Sequence, residues 1–328
     1  MNSANHRHTQ FDILKLAKAN QPSRASEGPK QQGWKSPTQT APKHTLNRKR
    51  IHSPDQDALE TYPKMTKVKS KTDEPRATGD LQLRTVWESP WKQFEKIYDL
   101  ELAGWVEVAV RKMAPINLVH VRKFSNVGSE KVLHMFRQLQ HQNIVTTLAA
   151  FAADDDLYVV VEHMSIALEW IVDSPAYPTE RQLAALLGQL LNGASYLAEE
   201  GFAHGSLSCS NILLNPDGTL KIASQECCHS VVESNDPNGD LRALSFITME
   251  LMQKYVKEDG TIGIDNLERW HSSSDAVQFL YATTSAVSAA ELLKHPLLTH
   301  PWEKESLIGL ISLAQICRRG RYKYTPRT

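Results

Sequence analysis

The chain has 328 residues, 41% hydrophobic and 23% charged, with 37 basic side chains balancing 37 acidic ones. That suits one two-lobed domain plus a tail in an ordinary soluble globular protein. Zero net charge excludes a global pull toward nucleic acid or membrane. No run approaches the roughly 20 apolar residues that span a bilayer, and the best candidate, Leu307–Ile316, is too short. Of the four cysteines, Cys227 and Cys228 are adjacent, which suits neither a metal clip nor a disulfide framework. The N-terminus lacks an apolar signal core, so reduced thiols and an intracellular protein, cytoplasmic or nuclear, are expected.

Residues 1–83 read as a disordered basic tail, because apolar residues recur at neither a helical nor a strand period. Within it, Phe11–Ala19 reads either as a transient helical turn or as a docking peptide that folds onto a partner. Residues 47–71 carry Arg48, Lys49, Arg50, Lys64, Lys67, Lys69 and Lys71. Such clusters serve as nuclear-import signals, as phosphate-contacting arms for nucleic acid, or simply as solvated chain. Ser36-Pro37 and Ser53-Pro54 suit proline-directed phosphorylation.

Order is expected from near Trp87. Phe94–Met113 has strand character, with GWVEVAVRK alternating and Gly104 marking a turn or bulge. Glu130–Gln140 is a helix with Val132, Leu133, Phe136 and Leu139 on one face. Two strands follow around an acidic turn at Asp154–Asp156, and the LYVVVE run of the second is apolar enough to be buried on both faces. From Thr179, a possible N-cap, the pattern is helical to a stop at Gly201. GDLRALSFITMELMQKY is a second buried helix, SAAELLKHPLL a short one, and the stretch from Lys304 an apolar helix with a basic end. That last helix packs on the domain or binds a membrane surface or a partner. Strands first and helices later predict an α+β fold.

Four pieces in this order, VAVRK (Val108–Lys112), HQNIV (His141–Val145), HGSLSCSNILL (His204–Leu214) and AAELLKHPLL (Ala289–Leu298), resemble the eukaryotic protein kinase superfamily. The p21-activated and sterile-20 type of Ser/Thr kinase is nearest. The resemblance covers about residues 92–300. It implies a bilobal fold: a β-rich N-lobe over 84–164, a helical C-lobe over 165–303, and a C-terminal helix and basic tail over 304–328.

The resemblance also places the chemistry, and the residues depart from it. A kinase covers the triphosphate with a glycine-rich loop, neutralises it with a lysine and magnesium, and orients the acceptor with a carboxylate. Here that loop keeps only Gly104, and the lysine position falls on Arg111, with Lys112 pointing to the opposite face. The helix glutamate that pairs with it falls on Val132. The catalytic Asp falls on Ser206, the loop Lys on Ser208 and the magnesium Asp on Ser224. Gln225 replaces a packing Phe, and burying its amide needs hydrogen-bond partners. Asn211 survives, as a weak metal ligand or as a turn-stabilising amide. The segment from Ser224 to Asp240 is too short for a peptide platform.

What remains is architectural: His204 as packing histidine, Asp240 as a bonding partner of the loop backbone, and Leu213 beneath an adenine. Val161 guards the back of the pocket, and Glu162, His163 and Met164 form the hinge. The cleft reads either as an adenine site without a triphosphate apparatus or as a gap collapsed by its own side chains. The expectations are therefore a protein without phosphotransferase activity, acting as scaffold or allosteric regulator of a protein partner such as an active kinase. No cofactor is expected, with ATP binding without magnesium the exception. Two alternatives stand beside this: a weak atypical kinase using Arg111, Asn211 and an acid such as Glu226, or a nuclear or nucleic-acid tether through the basic tail.

Overall fold

Period-two alternation and β-branched side chains build the first half of the molecule. The computed structural model describes residues 84–125, 128–233, 236 and 238–319. The tail 1–83, its Phe11–Ala19 stretch and the basic clusters of residues 47–71 lie outside the described residues. Six strands form one sheet: β1 (Thr85–Val86), β2 (Phe94–Glu101), β3 (Trp105–Arg111), β4 (Leu118–Ser125), β5 (Thr147–Ala153) and β6 (Asp156–Glu162). Their order is β1-β5-β6-β4-β3-β2, with only β1 and β5 parallel. Helix α1 (Ser129–Gln138) buries Phe136 and Met135.

Strand β4 has no counterpart among the expected elements, and it changes how the sheet is read. It lies between β3 and β6, so Val119, His120 and Val121 are buried in succession instead of alternating with exposed residues.

The second half is helical around short strands. β7 (Ile166–Ala167), β9 (Ile212–Leu214) and β10 (Leu220–Ile222) form one small sheet, while β8 (Phe202–Ala203) pairs with β11 (His229–Ser230). Helix α2 (Leu168–Asp173) follows the hinge. Helix α3 (Glu180–Glu199) starts at Thr179 in a capping box: the hydroxyl accepts from the Gln182 amide at 3.3 Å, and the Gln182 side chain accepts from the Thr179 amide at 2.9 Å. Thirteen α3 residues are buried, so it forms the axis of this lobe. Around it lie α4 (Gly239–Gln253), α5 (Asp275–Ala282), α6 (Ala289–Leu292), α7 (Pro296–Thr299) and α8 (Ile308–Arg319). Leu310, Ile311 and Ala314 of α8 join the same core, so this helix packs on the lobe. No helix among the described residues is long and apolar enough to cross a membrane.

The fold is thus bilobal, and its core clusters show how the lobes meet. One face of the sheet packs through Phe94, Val119, Val121, Phe151 and Val160. The other face joins Leu102, Val106, Phe136 and Val161 to Met164, Leu213 and Ala223 of the helical lobe. The two lobes therefore share a continuous apolar cluster at the cleft.

Candidate interlobe site

The roof of the cleft is the β2–β3 hairpin. Its tip is tight: Leu102 N–H donates to the Gly104 carbonyl at 2.8 Å, and Ala103 and Gly104 both have positive φ (53° and 93°). Leu102 is buried and points into the shared cluster. Across the cleft Ser224, also at positive φ (60°), donates from Oγ to the Ala103 carbonyl at 3.3 Å. Two non-glycine residues in the left-handed region thus meet where the lobes touch, each conformation costing about 1–2 kcal/mol.

Behind the tip, Arg122 of β4 forms a fork-on-fork pair with Glu226: one guanidinium nitrogen lies 2.6 Å from Oε1 and the other 3.0 Å from Oε2. Both side chains are largely withdrawn from solvent, at 12% and 18% exposure. Gly104 sits at φ +93°, a conformation that favours glycine, and a Cβ there would lie 3.2 Å from the Arg122 guanidinium, a tight contact.

Deeper in, His120 fills the space against the hinge. It is buried, and its Nε2 lies 2.9 Å from Nδ1 of His163, the two rings meeting edge-on. Burial, together with His163 and the Arg122 charge, pushes the His120 pKa down to about 3. Burial also lowers that of His163. Both rings are therefore neutral at pH 7, one donating and the other accepting.

The remaining cleft cavity is about 10 Å³, lined by these groups with Val106, Val161, Met164, Leu213 and Ala223. Ordinary small-molecule sites run from about 300 to 1,000 Å³, and this one is near the size of a single water.

The loop below is tied to the scaffold. His204 N–H and Gly205 N–H donate to the two Asp240 oxygens at 2.7 and 2.9 Å. The His204 ring bonds the Ala223 carbonyl through Nε2 at 2.8 Å. Asn211 uses both ends of its amide locally: Nδ2 donates to the Ser206 carbonyl, and Oδ1 accepts from the Ser208 amide at 3.0 Å. Ser208 Oγ lies 2.8 Å from Ser210 Oγ. Gly205 has φ +73°, and a Cβ there would overlap the His229 ring, so the position keeps a glycine.

The sequence-derived residues divide accordingly. Val161, Glu162, Met164, Leu213 and Ser224 line the cleft. Glu162 turns its carboxylate outward to Lys221 (2.6 Å) and to the Thr146 amide (2.6 Å). Ser206 is exposed and lies outside the lining. Gln225 is buried, and its Nε2 donates to the Val145 carbonyl at 2.5 Å. Val132 faces the shared cluster as an apolar side chain.

Arg111 needs a correction. It lies exposed at the end of β3, paired with Phe94 of β2, and does not line the cleft. The side chain placed there is Arg122, one strand further on. The Val-Ala-Val-Arg-Lys run of β3 imitates the sequence pattern, while Val-His-Val-Arg-Lys of β4 occupies the position next to β6. Lys112 is exposed and donates to the Trp91 carbonyl. His120, Arg122, His163 and Glu226 are the site residues that sequence reasoning left without this role. The available signal was the second Val-x-Val-Arg-Lys run.

Among the described residues no group of three or more His, Cys, Asp or Glu side chains could hold a metal ion. Asn211 has its Oδ1 engaged by a backbone amide, Asp240 is held by two, and Glu226 by Arg122.

Comparison with known proteins agrees with this architecture. A model described as "Protein kinase domain" matches residues 106–259. The serine/threonine-protein kinase PAK mbt of Drosophila melanogaster is 30% identical over 249 residues, 64% of this chain and 38% of that one. The serine/threonine-protein kinase STE20 of Candida glabrata is 25% identical over 223 residues, 56% of this chain and 24% of that one. STE20 of Yarrowia lipolytica is 28% identical over 258 residues, 66% and 22% of the respective chains. The chain thus spans between about a fifth and two-fifths of the length of these relatives. With two lobes meeting at this hinge and these matches along them, the chain belongs to the eukaryotic protein kinase superfamily and is sterile-20-like.

Proposed function

We propose that this is a kinase-fold protein without phosphotransferase activity, which works by binding a protein partner as scaffold or allosteric regulator. The observation that carries this reading is the cleft cavity of about 10 Å³, closed by Leu102, by the His120–His163 pair and by the Arg122–Glu226 pair. Phosphoryl transfer rests on positioning and on charge neutralisation around a bound triphosphate. Here the cation of the roof is satisfied by an internal carboxylate, and Ser206 and Ser224 offer neither a base nor a ligand for magnesium. Neither ATP nor magnesium is expected as a cofactor.

The weak-kinase alternative needed a spare acid, and Glu226, the nearest one, is paired with Arg122. The nuclear or nucleic-acid tether depends on residues 47–71, outside the described residues, and no described observation favours it. An intracellular location fits the family, and the partner remains a protein of the signalling type.

The test uses the full chain. Fluorescent ATP binding and melting temperature are measured with and without magnesium, beside phosphate transfer from labelled ATP. No saturable binding, no shift and no transfer above a buffer blank are expected. Magnesium-dependent transfer that survives repurification and is lost in Asn211→Ala would overturn the reading.

A further inference from the structure

A second cavity, about 600 Å³, opens in front of the hinge, on the solvent side of the His120–His163 pair. Its walls are the β2–β3 hairpin (Tyr98, Glu101, Trp105), helix α2 (Trp170) and the end of helix α8 (Arg318, Arg319). We propose that this cavity docks an acidic segment of a partner protein that inserts one aromatic or aliphatic side chain. It gives a location to the partner binding proposed above, but it stands separately: a peptide could dock here whether or not the cleft transfers phosphate.

Three observations support it. First, Trp105 is 72% exposed, while its neighbour Val106 is buried. The indole therefore faces away from the core and leaves a large apolar surface on one rim, as partner anchors do. Trp, Tyr and Arg are the residue types that dominate binding hot spots, and here they supply Tyr98, Trp105, Trp170, Arg318 and Arg319 around one concavity.

Second, the charges are sorted by wall. On the strand wall Asp99 lies 2.7 Å from Lys96, a cation it shares with Glu107 at 2.5 Å, so this wall stays acidic. On the helix wall Arg318 stacks over Trp170 at 5.1 Å and reaches Asp173 at 3.1 Å. Arg319 pairs with no acid among the described residues, and Glu101 with no base. The α8 side of the cavity is thus the cationic side, and a partner's carboxylates belong there.

Third, Trp170 Nε1 is a buried donor on that wall with no acceptor in hydrogen-bond reach. An N–H in this state costs free energy, and only a shift of the Trp170 wall on docking would let a peptide carbonyl or carboxylate satisfy it. A nucleotide is the weaker fit. Its triphosphate would share the cavity with Glu101, whereas a peptide can place its acids on α8 and its apolar side chain against Trp105.

The test is a selection of random short displayed peptides on the immobilised full chain, followed by anisotropy titration of the enriched peptides. Enriched peptides are expected to carry net negative charge plus an aromatic or aliphatic residue. Trp105→Ala is expected to weaken them about tenfold or more. Arg319→Glu, a change at an exposed side chain, is expected to weaken them severalfold, with the loss shrinking at high salt. Both variants should melt within about 2 °C of the parent. The proposal is overturned if nothing enriches, if the enriched peptides are neutral or basic, or if Trp105→Ala and Arg319→Glu bind within about twofold of the parent. Displacement of the peptides by sub-millimolar ATP would assign the cavity to a nucleotide instead and overturn it equally.

Discussion

The floor and the roof of the interlobe cleft have kept different things. On the floor, the loop from His204 to Asn211 is tied by scaffold bonds: two amides on Asp240, one ring nitrogen on Ala223, and an amide side chain closing its own turn. On the roof, the positions that face the cavity have turned inward. Leu102 enters the shared core, His120 stands against the hinge, and Arg122 has a carboxylate of its own chain. Bonds that hold the loop are also bonds that hold the lobe, because unpaired buried amides would cost stability whatever the loop does. A cavity has no such protection: filling it adds contacts. The floor's bonds thus serve the stability of the lobe, and the roof's contacts fill the cleft.

The largest effect should come from cutting the floor. Asp240 accepts two charge-assisted bonds from loop amides, each worth about 1.5–3 kcal/mol. Asp240→Ala should therefore lower unfolding free energy by about 3 kcal/mol in urea titrations. A loss below about 1 kcal/mol would mean that the loop is held by its other contacts, and the contrast between floor and roof would weaken.

The roof pair should behave differently when one partner or both are removed. Glu226→Ala leaves the Arg122 guanidinium unpaired in a largely withdrawn site, for a cost of about 2 kcal/mol, less than for a fully buried pair. Replacing both, as Arg122→Met with Glu226→Leu, should recover most of that, because a desolvated pair gains little over apolar groups of similar size. A double-mutant cycle reads the coupling directly. If the double variant is as unstable as the sum of the two singles, the pair is not the unit that closes the roof.

Much of this was legible in the sequence, and the misses share a cause. The α3 cap at Thr179 and the acidic β5–β6 turn are local, made by residues adjacent in sequence, whereas the tie from Asp240 to the loop joins residues 36 apart and was implied only by the resemblance. Strand β4 escaped because a strand covered on both faces loses its alternation, and because His120 reads as polar although it is buried. Without β4, its twin run in β3 took the arginine role for Arg111. The Arg122–Glu226 pair joins residues 104 apart, and no period or spacing rule reaches that far. A cleft collapsed by its own side chains was one of the two readings of the sequence, but its plugs, His120 and Arg122, were not legible, since both sit on the missed strand.

Acid should loosen the roof gradually. His120 is neutral in the folded state down to about pH 3, whereas its ordinary value is 6.5. Between those values the unfolded chain binds the proton and the folded chain does not. The contribution is therefore fully present above about pH 6.5 and is lost progressively as pH falls toward 3, with a slope of up to about 1.4 kcal/mol per pH unit. The half-buried His163 and the buried His204 are lowered by burial too and act with the same sign. Urea titrations from pH 7.5 to 5 should show this slope, and His120→Phe should reduce it by about one proton's worth. An unchanged slope would place the proton-sensitive step at the other histidines.

The smallest expected effect is the most discriminating. Ser206 is exposed and lies outside the cleft lining, so Ser206→Asp should change stability by no more than about 0.5 kcal/mol. On the resemblance, it places a carboxylate at the loop position where the family carries its base. If Ser206 alone accounts for the proposed lack of transfer, transfer from labelled ATP should appear. If the closed roof is the cause, the variant should remain without activity, because a base accelerates transfer only for a substrate held in line with it, and a cavity of about 10 Å³ holds no nucleotide to attack. Combining Ser206→Asp with His120→Ala separates the two barriers: nucleotide binding without transfer would leave the magnesium position, Ser224, as the next one, whereas no binding at all would show that the Arg122–Glu226 pair and the hairpin tip close the roof without the histidine.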